Sequence, residues 1–452
     1  MRKLGLQPWS CGCTLMGPFT NPQQCIRRRA SYLGPLFHRP REGSVGGLAW
    51  RQNQARSVLV SARQGSRETE CEEVYGWDQI LARPWLLSNA ATKTTKVGFR
   101  EGRWRVDEIG DFSGPCFHVI RDDLLHPMMG GNKLRKLDAI IPLLQAHEVT
   151  DVVTCGGCQS AHTAAVAVAC AEVGMKAHLL LRGERPAIPT GYNLVAGMYG
   201  YVTYIPRSEY ADRHAMLHKY ALQVAGDPSC VISIHHKILN ESSFSGWKMV
   251  PGEVASGNGR KVAILNEGAG DCHALPGLIR LVDYLSHPSK FGKKERLHVI
   301  VDSGTGTTAV GLALGIALKR LPWKVVGVML ADTREGYEKQ ADRLLAEFAH
   351  EYHGHTWEVE LCQKGSDLPI LWQERCQPRK FGRILRGEIE ICQRVARETG
   401  ILLDPIYTLA GWESANKLCH SAAGDDAEEV VLLHTGGTLG LFGLAQRYPL
   451  QF

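Results

Sequence analysis

No apolar run in this sequence approaches the ~20 residues that a membrane-spanning helix needs, so no transmembrane segment is expected. The longest run, Ala309 to Leu318, carries Gly311 and Gly315 on one helix face and reads as a buried helix. Regular cysteine spacing is also missing. Fourteen cysteines in 452 residues form no framework and read as reduced thiols. The one local pair, Cys155-Gly156-Gly157-Cys158, lacks the second pair that a zinc site would need. A redox role would want a cysteine at a helix N-terminus, and the simpler reading is two small residues beside a tight turn. No internal repeat is found. Acid is almost absent from residues 1 to 60, which hold nine basic side chains (Arg2, Lys3, Arg27, Arg28, Arg29, Arg39, Arg41, Arg51, Arg56) against Glu42 alone. The formal net charge of +6 therefore sits in this leader and the remainder is slightly acidic. That excludes a basic footprint for nucleic acid on the body of the protein.

The leader is interrupted by Pro8, Pro18, Pro22, Pro35 and Pro40, has no single uninterrupted apolar core of a secretory signal, and gives way to Glu68, Glu70, Glu72 and Glu73. This composition fits an organelle transit peptide, mitochondrial rather than plastid because Arg outnumbers Ser; a disordered basic tail is the alternative. With 44% hydrophobic and 22% charged residues, the chain has an ordinary globular composition, and its length suits two domains, or one large domain plus a leader.

From Cys116 onward, short β-rich runs alternate with helical stretches. Strands are expected at Cys116 to Arg121, Asp151 to Thr154, Ala177 to Leu181, Val202 to Ile205, Val262 to Leu265, Leu297 to Val301, Val325 to Leu330 and Val430 to Leu433. Helices are expected near Lys133 to Ala146, Ser160 to Glu172 and Thr308 to Lys319. The pattern predicts an α/β protein with open parallel sheets. Glycine pairs fall after four of the strands, at Gly156-Gly157, Gly268-Gly270, Gly304-Gly306 and Gly436-Gly437, and are expected to line one crevice at the strands' carboxyl ends.

Two constellations carry chemistry. In GGNKLRK, Gly130 and Gly131 permit a tight backbone, Asn132 is read as the N-cap, and Lys133 falls in the first helical turn. There the helix dipole disfavours the charged ammonium, which suits an amine that attacks a carbonyl; a solvated surface lysine is the plain alternative. In SGTGTT, residues 303 to 308, glycines and hydroxyls open a helix directly after a strand, as a phosphate cradle does. No lysine follows, so this is not a nucleotide P-loop. His350, His353 and His355 are spaced like metal ligands but lie at a helix end around Gly354, and His235-His236 fall in an irregular region. No metal site is expected from either group.

These motifs resemble the family that joins 1-aminocyclopropane-1-carboxylate deaminases and D-cysteine desulfhydrases, above all its plant mitochondrial desulfhydrases. The likeness runs from about Arg121 to Leu444. It implies a tryptophan synthase β-like, fold type II enzyme in which pyridoxal 5'-phosphate lies between two open twisted parallel-sheet domains. The large domain would comprise residues 75–138 and 273–452, the small domain residues 139–272. By this resemblance Lys133 bonds the cofactor's aldehyde carbon, Gly304, Thr305, Gly306, Thr307 and Thr308 hold its phosphate, and Thr408 faces its pyridine nitrogen. Ser160 in GGCQSAH would receive the substrate carboxylate, and Tyr407 in LDPIYT would be a catalytic or substrate-contacting phenol. The family usually has Asn where this chain has Ala161, reaching the cofactor's ring hydroxyl. That contact would come from Asn132 or His162, or be missing. The turn Glu267-Gly268-Ala269-Gly270-Asp271 also departs from the family form.

The activity implied is α,β-elimination of cysteine, D-cysteine before L-cysteine, to hydrogen sulfide, pyruvate and ammonia, by a homodimer acting on a small amino acid. Two alternatives stand beside it: 1-aminocyclopropane-1-carboxylate deamination, and a non-catalytic pyridoxal-phosphate-binding or redox-sensing protein. The family's deaminases carry Glu at the position of Thr408 and Leu at that of Thr435. A carboxylate at the ring nitrogen would favour a long-lived carbanion, and a neutral hydroxyl favours rapid loss of a β-leaving group. Fused to a fluorescent reporter, residues 1 to 60 are expected to carry it into mitochondria; a reporter that stays in the cytosol would refute the transit-peptide reading.

Overall fold

Runs of Val, Ile and Leu pair into two separate sheets in a computed structural model that describes residues 76–107, 114–233, 259–294, 297–352, 364–421 and 429–452. The leader, His235, His236, His353 and His355 lie outside the described residues. The strands are β1 (Thr94–Arg100), β2 (Arg103–Asp107), β3 (Cys116–Ile120), β4 (Asp151–Gly157), β5 (Lys176–Arg182), β6 (Tyr201–Ile205), β7 (Val231–Ser233), β8 (Val262–Ile264), β9 (Leu297–Ser303), β10 (Lys324–Met329), β11 (Ile370–Glu374) and β12 (Glu429–Leu433). All eight expected strands are among them. Four were not anticipated. β1 and β2 lie among Lys and Arg rather than in an apolar run, β7 is three residues long, and β11 is half exposed.

The first sheet has the order β11-β10-β9-β12-β3-β1-β2 and the second β6-β5-β4-β8-β7. Every pairing in the second sheet is parallel. In the first sheet β9, β10, β11, β12 and β3 run parallel, while β1 pairs antiparallel with both β3 and β2. The parallel-sheet expectation thus holds with one addition, an antiparallel ribbon at one edge.

Strand order also locates the crevice. From β9 the chain moves outward to β10, while β12 lies on the other side of β9. From β4 it moves to β5 and β6, while β8 lies on the other side of β4. These are the two points where the winding reverses, and in open α/β sheets the ligand crevice opens there, beyond the carboxyl ends of the strands. Three of the four glycine groups follow β8, β9 and β12, while Gly156 and Gly157 are the last two residues of β4 itself.

Central strand β9 is buried along its whole length, as a strand covered on both faces must be. The helix Thr307–Leu318 that follows is buried from Thr307 to Ile316. Gly311 and Gly315 face the helix Leu275–Leu285, as expected of a small-residue face: a Cβ on Gly311 would lie 2.8 Å from Leu278 Cβ, and one on Gly315 would lie 3.1 Å from Ile279 Cα. Among the described residues, no helix is long and apolar enough to cross a membrane.

The helix Gly131–Ala146 is tied to the chain before it by a fully buried ion pair. Arg135 donates from Nε and Nη2 to the two oxygens of Asp122, at 3.0 and 2.8 Å, and from Nη1 to the Ala90 carbonyl at 2.9 Å. Both side chains are 0% exposed, so removing one partner strands a charge in the interior. Arg135→Met is expected to cost about 3–5 kcal/mol of stability. Adding Asp122→Leu should recover much of that loss; equilibrium denaturation of the two variants tests it, and equal losses would overturn the account.

Candidate active site

The residue that organises this region is Gly131. It takes φ +54°, and a Cβ there would fall only 1.7 Å from the Thr435 carbonyl oxygen, so no other side chain fits without moving backbone. The contact is reinforced by Asn132 N–H, which donates to the Thr435 carbonyl at 3.3 Å. The start of the lysine-bearing helix is thereby seated on the turn that follows β12.

Asn132 is not the helix N-cap. Gly130 occupies that position without a side-chain capping bond, and the Asn132 amide is used elsewhere. Its Nδ2 donates to Thr308 Oγ1 at 2.9 Å, and its Oδ1 accepts from Lys133 Nζ at 3.1 Å. One amide therefore joins the lysine amine to the helix that opens the SGTGTT turn. Burial holds the Lys133 amine below its ordinary pKa, partly opposed by the charge of Asp302. A larger share of neutral amine is the state a nucleophile or base requires.

Lys136, one helical turn on, is more deeply buried and is already used. Its Nζ donates to the Gly268 carbonyl at 2.8 Å, and burial, with the nearby Lys133 charge, pushes its pKa well down. This identifies one contact of the unusual Glu267–Asp271 turn. Gly268 also packs on the phosphate-cradle candidate: with φ +71°, a Cβ there would lie 2.9 Å from Thr305 Cγ2. Arg343 Nη2 donates to the Gly270 carbonyl at 2.7 Å. The turn after β8 is thus braced against the turn after β9.

In the SGTGTT turn, Gly306 with φ +77° caps the helix Thr307–Leu318 without a side-chain capping bond, leaving its first N–H groups uncapped by a side chain. The Thr305 and Thr307 hydroxyls lie 3.1 Å apart. Tyr337 holds the turn from behind, its hydroxyl donating to the Ser303 carbonyl at 2.6 Å. Ser303 Oγ is buried with no hydrogen-bond partner among the described residues. A cradle of N–H groups and hydroxyls at a helix N-terminus is suited to a phosphate dianion.

Ser160 caps the helix Ala161–Glu172, accepting from Thr163 N–H at 3.3 Å. Gln159 ties the same turn to a neighbouring loop, accepting from Tyr192 N–H at 3.1 Å and donating to the Thr190 carbonyl at 3.0 Å. His162 is buried and shares a hydrogen bond of 2.8 Å with Thr154; burial, with Lys133 and Lys136, holds its pKa well below the ordinary value. Cys155 is fully buried in β4 rather than at a helix N-terminus, and burial pushes its thiol up to about 12. The Cys158 thiol, also raised by burial, donates to the Arg182 carbonyl at 3.3 Å. Neither thiol has the depressed pKa of a redox-reactive cysteine.

Tyr407 and Thr408 begin the helix Thr408–Ser421, and Asp404 organises them. One Asp404 oxygen accepts from the Ile406 and Tyr407 N–H groups at 2.9 Å each. The other accepts from the Thr408 hydroxyl at 2.9 Å, while the Asp404 N–H donates to that hydroxyl at 2.7 Å. Arg375 holds the loop from below through the Pro405 carbonyl at 2.8 Å. The Tyr407 phenol is shifted upward by burial and then by Asp404, which keeps it protonated.

Thr435 has the same kind of partner. Its hydroxyl donates to Asp302 Oδ1 at 2.6 Å. Burial raises the Asp302 carboxyl to about 7, eased by the Thr435 hydrogen bond and worsened by Asp404. Asp404 is likewise raised by burial against its several hydrogen bonds. Asp302, Asp404 and Arg375 escaped sequence reasoning. The first ends an apolar strand and the second precedes a proline, so neither stands in a recognisable spacing.

No family model matches this chain. Among curated sequences it is 52% identical, over 81% of this chain and 85% of the relative, to a protein of Oryza sativa subsp. japonica with the provisional name D-cysteine desulfhydrase 2, mitochondrial. It is 23% identical, over 75% of this chain and 76% of the relative, to the bifunctional D-cysteine desulfhydrase/1-aminocyclopropane-1-carboxylate deaminase, mitochondrial, of Arabidopsis thaliana. Among solved structures, a homologue of 1-aminocyclopropane-1-carboxylate deaminase superposes with a TM-score of 0.57 at 23% identity, covering 75% of this chain and 89% of the other. That likeness establishes the shared fold.

The two lysines separate by experiment. After incubation with pyridoxal 5'-phosphate and borohydride, the natural chain and Lys136→Met are expected to retain covalently fixed cofactor, and Lys133→Ala to retain none. The reverse pattern would overturn the choice of Lys133.

Proposed function

The chain belongs to the family of 1-aminocyclopropane-1-carboxylate deaminases and D-cysteine desulfhydrases, and we propose that it eliminates sulfide from cysteine, D-cysteine before L-cysteine, with pyridoxal 5'-phosphate as cofactor. The observation that carries this reading is the convergence on one crevice of a pKa-lowered amine at Lys133, an N–H-rich cradle at Gly304 to Thr308, and hydroxyls at Thr408 and Thr435. The cradle fits the cofactor's phosphate because Gly306 leaves the helix start without a side-chain cap and because Ser303 Oγ lacks a partner. Asn132 fits the ring hydroxyl that Ala161 no longer reaches. That hydroxyl adjoins the carbon to which the lysine bonds, and the Asn132 amide touches the Lys133 amine.

When bound, pyridoxal phosphate supplies an electron sink for the pair left on Cα. The chain's own residues do the rest. The N-terminus of the helix Ala161–Glu172, with Ser160, receives the substrate carboxylate. The Lys133 amine removes the Cα proton, for which a lowered pKa is the useful state. The thiolate leaves Cβ, with Tyr407 as the phenol beside the reacting substrate. The enamine product takes up water to give pyruvate and ammonia.

Elimination is favoured over ring opening by what occupies positions 408 and 435. Each hydroxyl already spends its proton on a carboxylate, so each offers an oxygen acceptor rather than a full charge of its own. Mitochondrial location is part of the proposal. It is supported by the composition of the leader and by the mitochondrial designation of the two named relatives.

Purified enzyme is expected to release sulfide and pyruvate in equal amounts from D-cysteine, less from L-cysteine, and to turn over 1-aminocyclopropane-1-carboxylate little or not at all. Thr408→Glu with Thr435→Leu should lower kcat/KM for cysteine at least about tenfold, a loss of about 1.4 kcal/mol at the transition state, and admit some deamination. Equal turnover of cysteine and the cyclopropane substrate by the natural chain would replace this reading with the deaminase one.

A further inference from the structure

A cavity of about 460 Å³ is lined by six cations, Arg182, Arg207, Arg213, Lys380, Arg383 and Arg447, together with Tyr210 and Phe381. That size falls among the roughly 300–1,000 Å³ pockets that take whole small molecules. Among the described residues the carboxylate recorded against these cations is Glu267, 3.4 Å from Arg213. Three cations elsewhere are each held by a carboxylate at 2.7 Å: Arg280 by Asp138, Lys294 by Glu429 and Lys319 by Asp283. Two of the guanidinium groups are braced on one phenol, Arg182 at 5.3 Å and Arg213 at 5.9 Å from the Tyr210 ring centre, so their forks are partly ordered before any ligand arrives.

The cavity borders the candidate active site at three points. Phe381 meets Tyr407 edge to face at 5.5 Å, and the Arg182 guanidinium lies beside Gly157, where a Cβ would be 3.9 Å from Nη2. Gly157 begins the turn that carries Ser160. A third link runs through Tyr210, whose hydroxyl donates to Glu267 at 2.9 Å, in the turn that packs on the cradle at Thr305. A single substrate carboxylate, received at Ser160, does not account for six cations at the mouth.

We propose that this mouth is an outer subsite for the β-substituent, and that the enzyme accepts alanines whose leaving group carries negative charge of its own, such as an S-sulfonate. This rests on the elimination reading and specifies its substrate class. For S-sulfocysteine the Cα–H and Cβ–S bonds break, Lys133 takes the proton, the Cα–H electron pair forms the carbon–carbon double bond, and thiosulfate leaves with the Cβ–S pair. Water then converts the enamine to pyruvate and ammonium. No oxidant or reductant is consumed.

The test uses the full chain loaded with cofactor and its Arg207→Ala/Arg383→Ala variant, both changes being exposed and away from the reacting atoms. Thiosulfate binding is measured by calorimetry, and turnover with S-sulfocysteine and with D-cysteine. Thiosulfate affinity and kcat/KM for S-sulfocysteine are each expected to fall at least about tenfold in the variant, as loss of charge-assisted hydrogen bonds requires, with D-cysteine turnover unchanged. Unaltered thiosulfate affinity, with sulfide release from cysteine intact, overturns the subsite alone. Binding of inorganic pyrophosphate that the variant loses, without any change in S-sulfocysteine turnover, also overturns it and makes the cavity a separate polyanion site. Sulfide from neither cysteine enantiomer would instead remove the elimination reading on which the proposal stands.

Discussion

The close approach of Gly131 to the Thr435 carbonyl is the constraint from which the rest of the site follows. It leaves no room for a Cβ, so the helix that carries Lys133 starts directly against the turn at the end of β12. Since β12 lies beside β9 in the sheet, the same contact brings the lysine to the SGTGTT turn. Asn132 completes the junction with one hydrogen bond to each side. Arg135 and Asp122, one turn further along, secure the helix from the opposite end of that segment.

Two buried carboxylates, Asp302 and Asp404, set the electrostatic character of the site. Asp302 and Asp404 each stand behind a threonine hydroxyl, and burial pushes each toward its protonated form, aided at Asp302 by the charge of Asp404 and opposed at Asp404 by its hydrogen bonds. The Lys133 amine opposes this for Asp302, as Asp302 opposes loss of charge at the amine. The hydroxyls at 408 and 435 are therefore not isolated neutral groups. Their protons are held by these carboxylates, an arrangement that a Glu and a Leu at these positions would remove.

The second sheet contributes position more than charge. Its turns after β4 and β8 bring Ser160 to a helix start and press Gly268 against Thr305, while Lys136 is buried beneath as a brace. Positive charge is concentrated in the neighbouring cavity, lined by Arg182 at the end of β5, by Arg207 and Arg213 after β6, and by Lys380, Arg383 and Arg447. A cavity lined by six cations attracts anions from solution.

By itself the sequence determined the elements whose chemistry is local. Short apolar runs marked eight of the strands, the GGNKLRK and SGTGTT turns marked the two ends of the cofactor-binding candidate, and Gly311 and Gly315 marked a helix contact, because each depends on neighbours within a few residues. Tertiary structure decided whatever depends on pairing across the chain. It made Asn132 a bridge to Thr308 rather than an N-cap, since a hydroxyl 176 residues away was the better partner. It separated Lys133 from Lys136, which are indistinguishable as neighbours on a basic helix start until the Gly268 carbonyl claims the second. It set Asp302 behind Thr435 and gathered six cations from four separate stretches of chain around one cavity. Hydrogen bonds and charge act over a few ångströms of space, and only the two sheets' strand order brings those residues within that reach.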